Sequence, residues 1–266
     1  MNIAIVGAGN VAWHLSFALQ QAGHSIKVVY SRTMAHGEEL ASQLKGTTAV
    51  TSLDFSSTPM QVILIAVPDA ALTEVAASLK VQPGTIVAHT SGSQPITTLV
   101  SIPGAKPAVF YPLQTFTKNA PVNMQEVPIL IEADTKETTA LLEQLAKSIS
   151  QQVELVNSDK RKQLHLAAVF ACNFTNHLLG ISQELLQNAD LPANLLQPLI
   201  HETIKKASAH HPFTVQTGPA VRHDQNVVEE HLRLLQPFPQ LQSIYQQLTQ
   251  SIQAAKANPD SLGKYQ

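Results

Sequence analysis

Along the first 150 residues, short continuous apolar runs alternate with stretches whose apolar residues recur at every third or fourth position. NIAIV (2–6), SIKVVY (25–30), VILIAVP (62–68), TIVAHTSGS from Thr85, PAVFYPLQTF (107–116) and PILIEA (128–133) read as strands, with QQVELVN as a last short one. Between them the helical period predicts helices over 11–23, around His36 to Leu44, over Ala70 to Leu79 and from Thr135 to Ser150. Strands that are apolar throughout, each followed by a helix, predict a parallel sheet covered on both faces. From Ser158 the period is helical almost everywhere. The segment 158–188 reads as one long helix, opened by Ser158 and Asp159, and Pro192, Pro198, Pro212, Pro219, Pro237 and Pro239 punctuate the later helices. A domain boundary is expected at residue 155, between 1–155 and an all-α region over 156–266.

The junction of the first strand and helix carries a specific pattern. GAGNVA sets Gly7, Gly9 and Ala12 at the three spaced positions of a dinucleotide fingerprint, with a strand before and a helix after. Gly7 permits the tight turn, Gly9 lets backbone approach a pyrophosphate, and Ala12 allows close helix–sheet packing. This makes the fold class α/β, an N-terminal Rossmann doubly wound parallel sheet followed by an all-α C-terminal domain. The second strand ends Tyr30-Ser31-Arg32-Thr33, with no carboxylate from Gly23 to Thr33 to hold a ribose 2′-OH. Two hydroxyls and a guanidinium suit a 2′-phosphate instead, so the expected cofactor is NADP(H). Its binding residues are Gly7, Gly9, Asn10 and Val11 at the pyrophosphate and Ser31, Arg32 and Thr33 at the 2′-phosphate. An arginine in a solvated turn is the plainer alternative for Arg32.

Ligands of open parallel sheets lie beyond the carboxyl ends of the strands. That rule singles out Val67, Pro68 and Asp69, assigned to the cofactor, then His89–Ser93 and Tyr111–Phe116. In HTSGS, Ser91 is a candidate catalytic hydroxyl, and Thr90 and Gly92 are candidate substrate contacts, as is Gln114. The alternative is an ordinary strand-to-helix turn with Ser93 as a cap. On the long helix, polar groups inside LAAVFACNFTNHLL need partners or a ligand. His165 and Asn173 are therefore candidates for protonating or orienting a carbonyl oxygen or imine nitrogen, with Lys162 a weaker one. A satisfied structural histidine is the alternative for His165, and Cys172 is expected to be packing. Arg222, after the TGP turn, can clamp an anionic substrate group, while Asp224 suits the cap of a helix opening at NVVEEHL.

The remaining composition narrows the class. With 17 Lys and Arg against 19 Asp and Glu, the net charge is −2, so no basic field argues for nucleic acid. One cysteine fits a reducing, cytoplasmic setting. The chain enters a core strand at once and carries no continuous apolar run of about 18 residues, so neither a leader nor a membrane span is expected. Seven of eleven histidines lie after residue 160 without HxxxH or HExxH spacing, and no metal is expected.

In the order GAGNVA, SRT, AVPD (66–69), HTSGS (89–93), PLQTF (112–116), HLAAVFACNF (165–174) and TGPAVRHD (217–224), the chain resembles a known family. These are the Rossmann-like proteins, labelled NADP oxidoreductases, with a C-terminal helical domain of unknown function. The plan is also similar to that of pyrroline-5-carboxylate reductases, F420-dependent NADP reductases and 6-phosphogluconate dehydrogenase-like proteins. Tyr111 stands where the family often has His, and His223 where Gly is common. Lys162 is followed four residues on by Leu166, not by the Asn of the β-hydroxyacid enzymes. The resemblance implies hydride transfer to or from a small carbonyl or imine substrate. It also implies a homodimer through the helical domain, with the 165–181 helix buried at its centre. A non-catalytic NADP(H)-binding or sensing module is the alternative.

Overall fold

The structure is a computed structural model that describes residues 1–257. Its contacts divide the chain into two compact units, Met1–Leu178 and a second from Leu179 onward. The last strand does end at Leu155, where the sequence changes period, but the first half of the long helix groups with the sheet.

The first unit is built on eight strands: β1 (Asn2–Val6), β2 (Ser25–Tyr30), β3 (Thr48–Val50), β4 (Val62–Ile65), β5 (Ile86–His89), β6 (Lys106–Pro112), β7 (Ile129–Ala133) and β8 (Val153–Leu155). They lie side by side as β3-β2-β1-β4-β5-β6-β7-β8. Helices α1 (Asn10–Gln21), α2 (Met34–Ala41), α3 (Asp69–Ser78) and α4 (Lys136–Lys147) connect them. The strand order reverses direction between β1 and β4, the crevice where dinucleotides bind in this architecture. Two apolar layers follow from the alternation of the strands. Ile3, Ile5, Val62 and Leu64 pack under Leu15 and Leu19 of α1, while Ala4, Val6, Ile63 and Ile65 pack against Leu72 and Val75 of α3.

The sheet departs from the expected all-parallel form at one strand. β7 runs antiparallel to β6, pairing Val109 with Glu132 and Tyr111 with Leu130. A parallel return needs a crossover that carries the chain back to the end of the sheet where β6 began. The connection 113–128 has only a short 3₁₀ turn (Met124–Glu126), so β7 starts near the end where β6 stops. The segment remains as a strap beside α1. Asn10 Nδ2 donates to the Phe116 carbonyl at 3.0 Å, His14 Nε2 lies 3.0 Å from the Thr117 carbonyl, and Lys118 pairs with Glu39 over the Trp13 ring.

The long helix is α5 (Ser158–Ala168), a π turn (Val169–Phe174) and α6 (Thr175–Asn188). A π turn accommodates an extra residue and rotates the helix beyond it. His165, Val169, Cys172 and Asn176, which regular α-helical spacing would align along one stripe, therefore do not share a single face. Nor is the helix buried in this chain: Leu166, Phe170 and Phe174 are 54, 63 and 49% exposed, and Cys172 is exposed rather than packed. By length and composition alone Ser158–Asn188 could cross a membrane, although polar residues interrupt it and no continuous apolar run in it reaches that length.

At its start α5 is anchored by a buried charge cluster. Arg161 is fully buried and reaches Glu132 of β7 at 2.5 Å and the Gln94 carbonyl, in the turn after β5, at 2.6 Å. Glu132 also accepts from the Ser158 amide and hydroxyl, at 3.0 and 2.8 Å, and the Ser158 hydroxyl oxygen in turn accepts the Ile96 amide.

In the second unit, α7 (Gln197–Ala209), α8 (Pro219–Arg222), α9 (Gln225–Leu234) and α10 (Pro239–Ala257) are helical as expected. Polar side chains fasten the last three: His231 Nδ1 lies 2.8 Å from Tyr245 Oη, Gln242 donates to the Leu232 carbonyl and Lys256 to the Val221 carbonyl. Asp224 stands at the N-cap of α9, yet its side chain makes no capping bond. His223 adopts left-handed φ +54°, a conformation that glycine takes without strain, which accounts for glycine being common there in the resembled family.

Removing one partner of the buried cluster leaves the other uncompensated, which typically costs about 3–5 kcal/mol. Glu132→Ala should lower the unfolding free energy by roughly that amount in urea titration, whereas Glu143→Ala, which breaks only the exposed pair with Lys147, should lower it by less than about 1 kcal/mol.

Candidate active site

One end of the site is the turn between β1 and α1. Gly7 has φ +120°, and a Cβ there would lie 2.3 Å from the Ala66 carbonyl oxygen, so the fold itself demands glycine. Gly9 differs. A Cβ on it would meet nothing within 4 Å, so no protein contact requires its smallness. Helix α1 starts with no side-chain cap and no acidic residue in its first turn. Its first N–H groups face an open space that a β-carbon at Gly9 would partly fill, which fits an anionic phosphate approaching closely. The Asn10 side-chain amide is held by the Phe116 carbonyl, which leaves only its backbone N–H available to a ligand there.

Beside it, β2 is followed by Ser31, which is buried, and by Arg32 and Thr33, which are exposed just before α2. Arg32 forms no ion pair among the described residues. Gly37 of α2 packs against Ser31, where an added Cβ would come within 3.3 Å of the serine Cβ. Val67 is half-buried after β4; exposed Pro68 caps α3 from outside and exposed Asp69 begins it.

The other end is built on the turn after β5. His89 is completely buried. Its Nδ1 accepts the Ser91 amide at 3.2 Å and its Nε2 faces the Pro95 carbonyl at 3.3 Å, a pair of bonds that only the neutral ring with Nε2 protonated satisfies. Burial, then the Arg161 charge, lowers its pKa to about 4. The Ser91 oxygen accepts the Ser93 and Gln94 amides, so Ser91 shapes the turn in the role expected of Ser93. Ser93 instead donates to the Asp69 carboxylate. Thr90 donates its hydroxyl to the Ile65 carbonyl at 3.3 Å, and the Gln114 side-chain oxygen accepts from Thr115, leaving its NH₂ group free of protein partners among the described residues.

The point of closest convergence is Gly92. A Cβ there would stand 2.6 Å from His165 Nδ1 and 2.8 Å from Tyr111 Cζ. Tyr111, at the end of β6, and His165, on α5, meet over this glycine, with Tyr111 Oη 3.1 Å from His165 Nδ1 and the rings edge to face at 6.0 Å. Burial pushes the Tyr111 phenol pKa up, so the group is neutral at physiological pH. The structure thus brings His165, Gly92 and Ser91 together with a tyrosine not foreseen as a partner. It leaves Asn173 and Lys162 exposed on the helix without hydrogen bonds among the described residues, and Arg222 exposed within the second unit. No group of three or more metal-ligating side chains occurs among the described residues.

A sheet whose strand order reverses beside a glycine turn between β1 and α1 defines a Rossmann-type protein. Two family models match: the Rossmann-like domain over residues 1–112 and a domain of unknown function, DUF2520, over 127–252. A crystal structure from Bacteroides fragilis, of a protein described as a “putative NADP oxidoreductase”, is 38% identical, with TM-score 0.88 over 95% of this chain and 98% of that one. The chain belongs to this family of Rossmann-like proteins with a DUF2520 domain. Protein TM1727 of Thermotoga maritima is 22% identical, with TM-score 0.68 over 97% of this chain and 99% of that one. An imine reductase from Myxococcus stipitatus in complex with NADP⁺ shares the fold at 16% identity, with TM-score 0.66 over 97 and 95% of the two chains. No curated protein matches the chain.

The neutral His89 makes stability depend on pH. Above pH 6.5 the ring is neutral whether folded or unfolded, and its contribution is complete. Between 6.5 and about 4 the unfolded chain binds a proton that the folded chain refuses, so stability falls with pH. The loss from this residue should reach about 3 kcal/mol near pH 4, and urea titrations from pH 7 to 4 should show a shallower slope for His89→Gln. An NMR titration placing the His89 midpoint near its ordinary value would contradict this.

Proposed function

We propose that the protein is an NADP(H)-dependent oxidoreductase transferring hydride to or from a small carbonyl or imine compound. The observation that carries this reading is the freedom of Gly9 beside a carboxylate-free Ser31-Arg32-Thr33 turn. A glycine that no neighbour demands, at an uncapped helix start, suits a ligand's phosphate; a guanidinium and a hydroxyl at the next strand end suit a 2′-phosphate. The 38% identical relative described as an NADP oxidoreductase and the NADP⁺-bound imine reductase of the same fold support the same cofactor.

Bound there, the cofactor supplies hydride. The chain's own residues do the rest. Backbone amides of Asn10 and Val11 hold the pyrophosphate, and Val67, Pro68 and Asp69 flank the dinucleotide along the strand ends. Thr90, Gly92 and Gln114 line the substrate side with Ser91 beneath them, and His165 supplies the proton that the substrate heteroatom takes up as hydride arrives at carbon. The single cysteine and modest charge fit a cytoplasmic setting.

The exposed Leu166, Phe170 and Phe174 favour a homodimer, in which a second copy covers the helix. A protein surface suits this helix better than lipid, because His165, Asn173, Asn176 and His177 interrupt it and need polar partners.

Calorimetry should show NADPH binding at least tenfold tighter than NADH, with Arg32→Ala abolishing the difference. Gly9→Ala should leave the melting temperature nearly unchanged yet weaken NADPH at least tenfold. Failure of both nucleotides to bind at millimolar concentration would defeat the reading; tight NADPH binding without turnover of any carbonyl or imine would favour a sensing module. Sedimentation at micromolar concentration should give twice the chain mass, and Phe170→Asp should shift it toward monomer.

A further inference from the structure

We propose that Tyr111 is the positioning residue of the proton donor. Its phenolic oxygen accepts the Nδ1–H of His165, which leaves Nε2 as the atom that gives up a proton.

The geometry fixes both rings. Tyr111 Oη stands 3.1 Å from His165 Nδ1, and Gly92 lies so close under them that one added carbon would overlap each. Arg161, one turn before His165, is tied to β7 and to the Gln94 carbonyl, so α5 cannot slide away from this contact. Nε2 has no protein partner among the described residues. Nδ1 is therefore the anchored nitrogen and Nε2 the one open to a ligand.

Proton balance decides the direction of the bond, and here the inference rests on the reductase reading. When hydride from reduced nicotinamide forms the new C–H bond, the π electrons of C=N or C=O move to the heteroatom, which takes a proton. If imidazolium Nε2–H gives that proton, the product is a neutral ring still donating from Nδ1 to Tyr111. If Tyr111 instead donated to Nδ1, the neutral ring would hold its proton on Nε2. Losing it would then create an imidazolate, or a tyrosinate once the phenol proton followed. Burial of Tyr111 opposes the charged phenolate, so only the first arrangement closes. This tyrosine stands where the resembled family often has histidine; the chain keeps its acid on the helix and uses position 111 to aim it.

The test is ring-nitrogen NMR on the full-length, cofactor-free protein labelled with ¹⁵N-histidine, at a pH where His165 is neutral. His165 is assigned by its absence in His165→Gln. The wild-type ring should be predominantly the Nδ1–H tautomer, and Tyr111→Phe should shift it to predominantly Nε2–H with the melting temperature nearly unchanged. A wild-type ring already protonated at Nε2, or a tautomer unaffected by Tyr111→Phe, overturns the proposal. In turnover of a C=N or C=O substrate, Tyr111→Phe should lower kcat about tenfold and leave KM and NADPH affinity within about twofold; an unchanged kcat also overturns it. Absence of NADPH binding in the wild type would defeat the reductase reading alone, because the tautomer is read without cofactor.

Discussion

The ion pair between Arg161 and Glu132 is the constraint on which the site depends. It joins three segments far apart in sequence: β7, the first turn of α5 and the turn after β5. A fully buried guanidinium is tolerable only with its charge matched and most of its N–H groups bonded. Glu132, Ser158 and the Gln94 carbonyl provide that match, although Arg161 Nε stays without a partner among the described residues. The cluster can form only with α5 at one height and rotation against the sheet, and His165 follows one turn later on the same side of the helix.

The antiparallel strand makes that arrangement possible. Because β7 reverses beside β6, Glu132 pairs with Val109 in the ladder while its carboxylate caps α5. The turn after β5 is then held from two directions, by Arg161 above and by the neutral His89 beneath. Gly92 sits in the stretch between these holds, which is why a backbone atom rather than a side chain meets Tyr111 and His165.

Much of this was legible in the sequence. The glycine turn, the SRT turn, the starts of six of the eight strands to within one residue and the long helix from Ser158 follow from local periodicity and turn chemistry. What escaped is non-local. A glutamate inside PILIEA and an arginine four residues before a histidine are visible as oddities, yet spacing cannot say that they meet across 29 residues. Tyr111 shows in the sequence only as a departure from the histidine common in the resembled family, because its partner, His165, lies 54 residues away. The direction of β7 depends on the absence of a crossover helix in the strap, and the face that the long helix presents beyond Val169 is not legible because a π turn leaves no mark in hydrophobic spacing.

The strap beside α1 has a consequence for how such a chain can diversify. Asn10 and His14 grip it through the main-chain carbonyls of Phe116 and Thr117. Every amino acid offers a carbonyl, so the grip is indifferent to most side chains beyond Phe116, which stacks on His14, and Lys118. Insertions or foreign peptides between Asn119 and Asn123 would leave the glycine turn undisturbed. Evolution and the protein engineer find the same thing there: a segment fastened at its base whose tip is free to be rewritten.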